Sequence, residues 1–180
     1  TVNIGGTVYI LDVDADGKAS KIITTEDRDV YTDPSSLTAT VTAINGGNFE
    51  ATSVATATAT ATAQIADANV NGEDTTTVTV TTANVTENDP SVTFNFQLSN
   101  KPDTDANGVM VPTKLKVNIG GTVYELDVDA YGKASKTITT EDRDVYNDPS
   151  SITATVEQII GGNFEDTSVA GATATAKISD

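Results

Sequence analysis

The sequence contains no cysteine, no histidine and no tryptophan. Without cysteine there is no disulfide staple and no thiolate nucleophile, and without histidine there is no imidazole base. Zinc sites of the Cys/His type, haem ligation and Ser-His-Asp chemistry are therefore excluded. Basic residues are scarce: 10 Lys and Arg stand against 26 Asp and Glu, a net charge of −16. Phosphate recognition needs a basic face, so neither nucleic acid nor an anionic membrane surface is an expected partner. Aromatic residues make up only 5% of the chain, which leaves little for stacking against sugars. No signal-like segment and no long apolar run is present, so no membrane insertion is predicted. The chain opens in mid-pattern at Thr1-Val2-Asn3 and reads as a piece of a larger protein.

What is present in excess is carboxylate. Like charges packed together oppose a compact state. Divalent cations relieve that repulsion, and carboxylate and amide oxygens are the natural ligands of Ca²⁺. Calcium is the one cofactor the composition suggests.

An internal repeat dominates the chain. Residues 2–55 align without gaps to residues 117–170 at an offset of 115, with 45 of 54 positions identical. Both copies end alike, in Gln-Ile-Ala-Asp67 and Lys-Ile-Ser-Asp180, after a two-residue length change. So close a repeat marks a tandem array. The predicted division is residues 1–67, the C-terminal part of one repeat, and 68–180, a complete repeat. An array gains length and spacing from copying, whereas an enzyme gains little from duplicating its site. Neighbouring repeats are the expected partners, with no small-molecule substrate and no catalytic residues.

Period-two alternation recurs, as in Val92-Thr93-Phe94-Asn95-Phe96 and Thr153-Ala154-Thr155-Val156, while no apolar stripe of helical period appears. Gly, Asn, Asp and Pro punctuate the runs. Strands are predicted near 76–82, 91–99, 114–119, 122–129, 134–140, 152–159 and 168–178, and residues 1–67 are expected to repeat the last five. Seven short strands in one repeat imply an all-β, immunoglobulin-like antiparallel β-sandwich in tandem. Alternating strand direction then places loops 83–90 and 141–151 at one end. Loops 100–113 and 161–167 lie at the other, beside the linker 68–74.

The carboxylates fall in these loops. Asp103-Thr104-Asp105-Ala106-Asn107-Gly108 matches the start of a calcium-binding loop, in which alternate oxygens converge on one ion. Lys114 stands where the closing Glu would be, so other segments such as Glu165 would have to complete the site; a polar turn is the alternative. Asp12-Val13-Asp14-Ala15-Asp16-Gly17 also fits, but its copy has Tyr131 at the third ligand position, which favours a plain Gly turn. Glu26, Asp27 and Asp29 recur as Glu141, Asp142 and Asp144, close enough to repel unless a cation neutralises them. Glu87 and Asp89 share that end of the sandwich with Asp67 or Asp180. A junction between repeats would gather Glu26, Asp27, Asp29 and Asp67 from one repeat. Asn69, Asn71, Glu73, Asp103, Asp105, Asn107 and Glu165 would come from the next. Metal there would remove the freedom that a short linker otherwise allows.

Val85–Pro102 matches V-T-E-x-x-x-x-V-T-F-x-F-x-L-S-N-x-P. Later segments read I-G-G-T-x-Y, D-V-Y-x-D-P, G-G-N-F-E and A-T-A-x-I-x-D. In this order they resemble the extender repeats of giant RTX adhesins, which Gram-negative bacteria export by type I secretion and use in biofilms. The resemblance implies a repeated β-sandwich with Ca²⁺ at and near the junctions. It also implies an extracellular, cell-surface spacer that holds a ligand-binding region away from the cell. An adhesive module that itself binds a glycan or protein is the alternative. Ice binding through the Thr row at 56–62, and a hydrolase built on paired carboxylates, are more distant rivals.

Overall fold

The computed structural model describes residues 1–25, 29–54, 59–66, 74–140 and 150–179. The described residues form strands and turns without a helix, and the chain divides into two compact units. The first comprises Thr1–Arg28 and Asp33–Ala68, and the second Asp29–Thr32 and Asn69–Asp180.

The first unit holds β1 (Val2–Ile4), β2 (Thr7–Tyr9), β3 (Ser36–Val41) and β4 (Thr60–Gln64) in one sheet of order β2-β1-β3-β4. The second unit is a two-layer sandwich. Its strands are β5 (Thr75–Thr81), β6 (Val85–Thr86), β7 (Ser91–Leu98), β8 (Thr113–Ile119), β9 (Thr122–Asp127), β10 (Lys133–Thr139), β11 (Ser151–Gly161), β12 (Asp166–Ser168) and β13 (Thr173–Ser179). One sheet has the order β10-β7-β5-β12 and the other β6-β13-β11-β8-β9.

The alternation in the sequence explains the core. Along β7, Val92, Phe94, Phe96 and Leu98 point inward, and along β8 so do Leu115, Val117 and Ile119; all are buried. Burying side chains of this size contributes roughly 1.5–3 kcal/mol each. On β11 a bulge between Val156 and Gln158 breaks the period of two, so that Val156 and Ile159 both reach the core. Gly120-Gly121 joins β8 to β9 with φ of 57° and 85°, the positive pair that a two-residue hairpin turn requires.

The first unit repeats one layer of this sandwich. Val2 faces Val41 as Val117 faces Val156, and Ile4 faces Ala39 as Ile119 faces Ala154. The paired hydroxyls Thr38–Thr62, at 2.8 Å, recur as Thr153–Thr175, also at 2.8 Å. The counterpart of β10 in the first unit, residues 18–24, is not a strand, although a strand was predicted there. In the second unit β10 finds its ladder partner in β7, and no described residue of the first unit plays that part.

The predicted last strand, 168–178, is in fact two. β12 pairs in parallel with β5 in one sheet, and β13 pairs antiparallel with β11 and parallel with β6 in the other. The chain changes layers around Gly171, whose φ is 73°.

Candidate functional site

The two ends of the sandwich hold the described candidate carboxylates. Asp89 precedes β7 and Asp103 follows it, so an eight-residue strand, roughly 25 Å long, separates them.

At the first end the chain folds back through Asp89. Its Oδ2 accepts from the Thr86 amide at 2.7 Å and the Thr86 hydroxyl at 3.0 Å. These bonds hold the Asp89 carboxyl below its ordinary pKa, the backbone bond contributing most. Glu87 donates its amide to the Ser179 carbonyl at 2.9 Å, and the Thr140 hydroxyl donates to the Asp89 carbonyl at 2.9 Å. The loop between β5 and β7 thus shares an end with the end of β13 and with the segment following β10, as predicted from strand alternation.

At the other end Asp103 joins two loops. Its amide donates to the Gly162 carbonyl at 3.1 Å, and its Oδ2 accepts from Asn163 Nδ2 at 2.8 Å. Asp105 caps a tight hairpin: its Oδ1 accepts the amides of Asn107 and Val109, both at 2.9 Å. Those two bonds, Val109 first, lower the Asp105 pKa. Gly108 completes the turn with φ of 76°.

The same turn occurs three times among the described residues. Asp14 Oδ1 accepts the amides of Asp16 and Lys18, and Asp129 Oδ1 those of Tyr131 and Lys133. All three read Asp-Ala-x-Gly, with x being Asp16, Asn107 or Tyr131. The middle residue is free to vary because the turn uses its backbone, and the Tyr131 side chain is 73% exposed. This accounts for the substitution of Tyr for Asp between the copies.

Asp29–Thr32 folds with the second unit at this same end. Tyr31 forms an antiparallel bridge with Phe164, and their rings stack with centroids 6.1 Å apart and planes at 25°. The Thr32 amide donates to the Asn163 carbonyl at 2.9 Å, and the Glu165 amide to the Val30 carbonyl at 3.0 Å. The Tyr31 hydroxyl donates to the Lys101 carbonyl at 3.0 Å. Burial, then the charges of Asp103 and Asp29, push the Tyr31 pKa above its ordinary value. Asp29 and Asp103, two of the predicted junction residues, therefore act on one phenol. Glu165 lies beside it, with Oε2 buried. No signal in the sequence pairs Tyr31 with Phe164. Both residues recur in the repeat, yet so does nearly every neighbour, and the repeat alone could not single them out.

Among the described residues no three Asp or Glu side chains come together as a metal-holding group. Glu26, Asp27, Asp67, Asn69, Asn71, Glu73, Glu141, Asp142, Asp144 and Asp180 lie outside the described residues. A shallow groove over β5, β7 and β10 is lined by Thr79, Asn95, Gln97 and Lys133, with Asp127 and Asp129 at its edge; its single ring, Phe96, is 1% exposed and cannot stack on a ligand.

No curated protein matches the sequence. The LapA domain matches residues 1–68 and 74–180, nearly the whole length. With its all-β architecture and repeated sheet, the chain belongs to the LapA domain family, named for a large adhesin of biofilm formation.

Proposed function

We propose that the chain is a structural spacer of an extracellular, cell-surface adhesin, built of repeated sandwiches and stiffened by calcium at their ends. The observation that carries the spacer reading is the copied sheet. Both copies keep the same strand order and register, and 45 of 54 aligned residues are identical. Selection that preserves a packing unit in duplicate suits a protein whose output is length.

Calcium enters through the charge. A net of −16 in a chain this small favours bound cations. Ca²⁺ takes six to eight oxygen ligands, and the described residues do not by themselves assemble such a set. Asp29, Asp103 and Glu165 are the described carboxylates best placed to contribute. The rest of the shell would come from the acidic stretches outside the described residues, such as Glu141, Asp142 and Asp144. In low calcium the chain would stay loose enough for export by type I secretion, and outside the cell it would tighten. An ion bound only by the folded state adds about 2.7 kcal/mol at a hundredfold excess over its Kd.

Calorimetric titration with CaCl₂, paired with melting in EGTA, tests the metal. Saturable binding and a Tm that falls on chelation are expected. An unchanged Tm together with no heat of binding would remove calcium from the proposal. The spacer reading would fail separately if the chain bound glycans or proteins on its own in array experiments.

A further inference from the structure

The hairpin of residues 161–165, Gly-Gly-Asn-Phe-Glu, has a docked partner in the second unit: the segment Asp29–Thr32. The pairing uses two backbone hydrogen bonds, Thr32 N to Asn163 O and Glu165 N to Val30 O. The Thr32 hydroxyl adds a bond to the Phe164 carbonyl at 3.2 Å, and the Tyr31 ring stacks on Phe164.

The sequence contains this hairpin twice. Residues 46–50 are again Gly-Gly-Asn-Phe-Glu, and their backbone has the same unusual shape. Gly46, Gly47 and Asn48 have φ of 81°, 79° and 52°, against 76°, 82° and 57° for Gly161, Gly162 and Asn163. In both, the phenyl ring folds over the second glycine, where any Cβ would collide with it. The conformation is therefore intrinsic to the hairpin and does not depend on a docked segment. What differs is cover. Phe164 is half-buried, packed on the core and under Tyr31, while Phe49 is 65% exposed.

We propose that the hairpin at 46–50 is a docking site for the Asp-Val-Tyr segment of a second copy of this chain, residues 144–147. That segment lies outside the described residues and enters by its sequence alone. It reads Asp-Val-Tyr-Asn, differing from Asp29–Thr32 only at the last position. The carbonyls of Asn48 and Phe49 and the amide of Glu50 stand where Asn163 O, Phe164 O and Glu165 N receive the docked segment. The contact is heterologous: segment and hairpin are different surfaces, so copies add head to tail instead of closing into a symmetric dimer. Lys101, which accepts the Tyr31 hydroxyl, has no counterpart in residues 1–68, so docking between free copies is weaker than the pairing within the second unit. Weak contact suffices in an array, where a short covalent tether supplies an effective concentration of about a millimolar.

The test is a peptide of residues 140–148 titrated into the full ¹⁵N-labelled chain in about 0.15 M salt, which screens repulsion between exposed carboxylates. Shifts of the amides at 46–50, saturating with a Kd of about a millimolar or tighter, are expected. Phe49→Ala removes an exposed ring, so the fold persists and the spectrum away from the hairpin is unchanged. It should weaken binding about tenfold, as should Tyr146→Ala in the peptide. The proposal is overturned if residues 46–50 do not shift, or if the Ala peptide binds as well as the Tyr peptide. It also falls if Phe49→Ala binds undiminished, or if shifts are confined to 161–165, where the peptide would merely exchange with Asp29–Thr32.

Discussion

Val13 and Val128 occupy the same position in the two copies, within an identical Leu-Asp-Val-Asp-Ala stretch. Sequence-based reasoning assigns them equal importance, but their exposures are 64% and 3%. Truncating Val128 to Ala removes two methyl groups from the core. At about 0.8 kcal/mol for each buried carbon, plus a contribution from the space left behind, the loss is about 2 kcal/mol. The same change at Val13 strips carbons already in water and should cost less than about 0.5 kcal/mol. Urea unfolding followed by far-UV circular dichroism measures both. With an m-value of about 2 kcal/mol/M, Val128→Ala lowers the midpoint of the second unit by about 1 M, and Val13→Ala leaves the transition of the first unit, to which it belongs, in place. Equal shifts for the two variants would refute the argument that the second sheet, not the local sequence, decides what is core.

Further outcomes follow from particular residues. Gly161→Ala forces a side chain into φ of 76° and against the Pro112 carbonyl, and should destabilise by about 2–3 kcal/mol in the same assay. Gly171→Ala, at φ of 73° but facing open space, should cost only about 1 kcal/mol. The Asp105 pKa is lowered in the folded chain, so its stabilising effect is present above the ordinary carboxylate range and is lost as pH falls through the lowered value. Asp105→Ala should therefore flatten the acid limb of a stability profile. Tyr31 has a raised pKa, so its contribution is intact below pH 10.0 and is lost as pH rises through the folded value. Titration of phenolate absorbance should show a late-ionising step that Tyr31→Phe removes.

Much of the second unit was legible in advance. Six of the seven predicted strands, their turns and the sharing of loop ends follow from alternation and from Gly, Asn, Asp and Pro. Three features were not legible. The single predicted strand at 168–178 divides between two sheets because β12 and β13 meet different partners, β5 and β11, and partner choice is not written in local periodicity. Residues 18–24 share Lys-Ala-Ser-Lys and Ile-Thr with β10, yet form no strand, because a ladder needs a second chain segment beside it. The candidate calcium loop at residues 103–108 contains a turn in which the Asp105 carboxylate binds backbone amides, the geometry shared with Asp14 and Asp129. Spacing of acidic residues cannot distinguish such a turn from a ligand loop, since both use short oxygen-bearing side chains around a glycine.

The sequence by itself determined the class: β alternation, the copied segment, the surplus of carboxylate and the absence of Cys and His specify an acidic all-β chain without thiol or imidazole chemistry. Tertiary structure alone decided which copy of an identical residue is buried and that Tyr31 lies on Phe164. The physical reason is that burial and pairing are relations between distant segments, and two identical stretches acquire different fates when, among the described residues, only one has a second sheet to pack against.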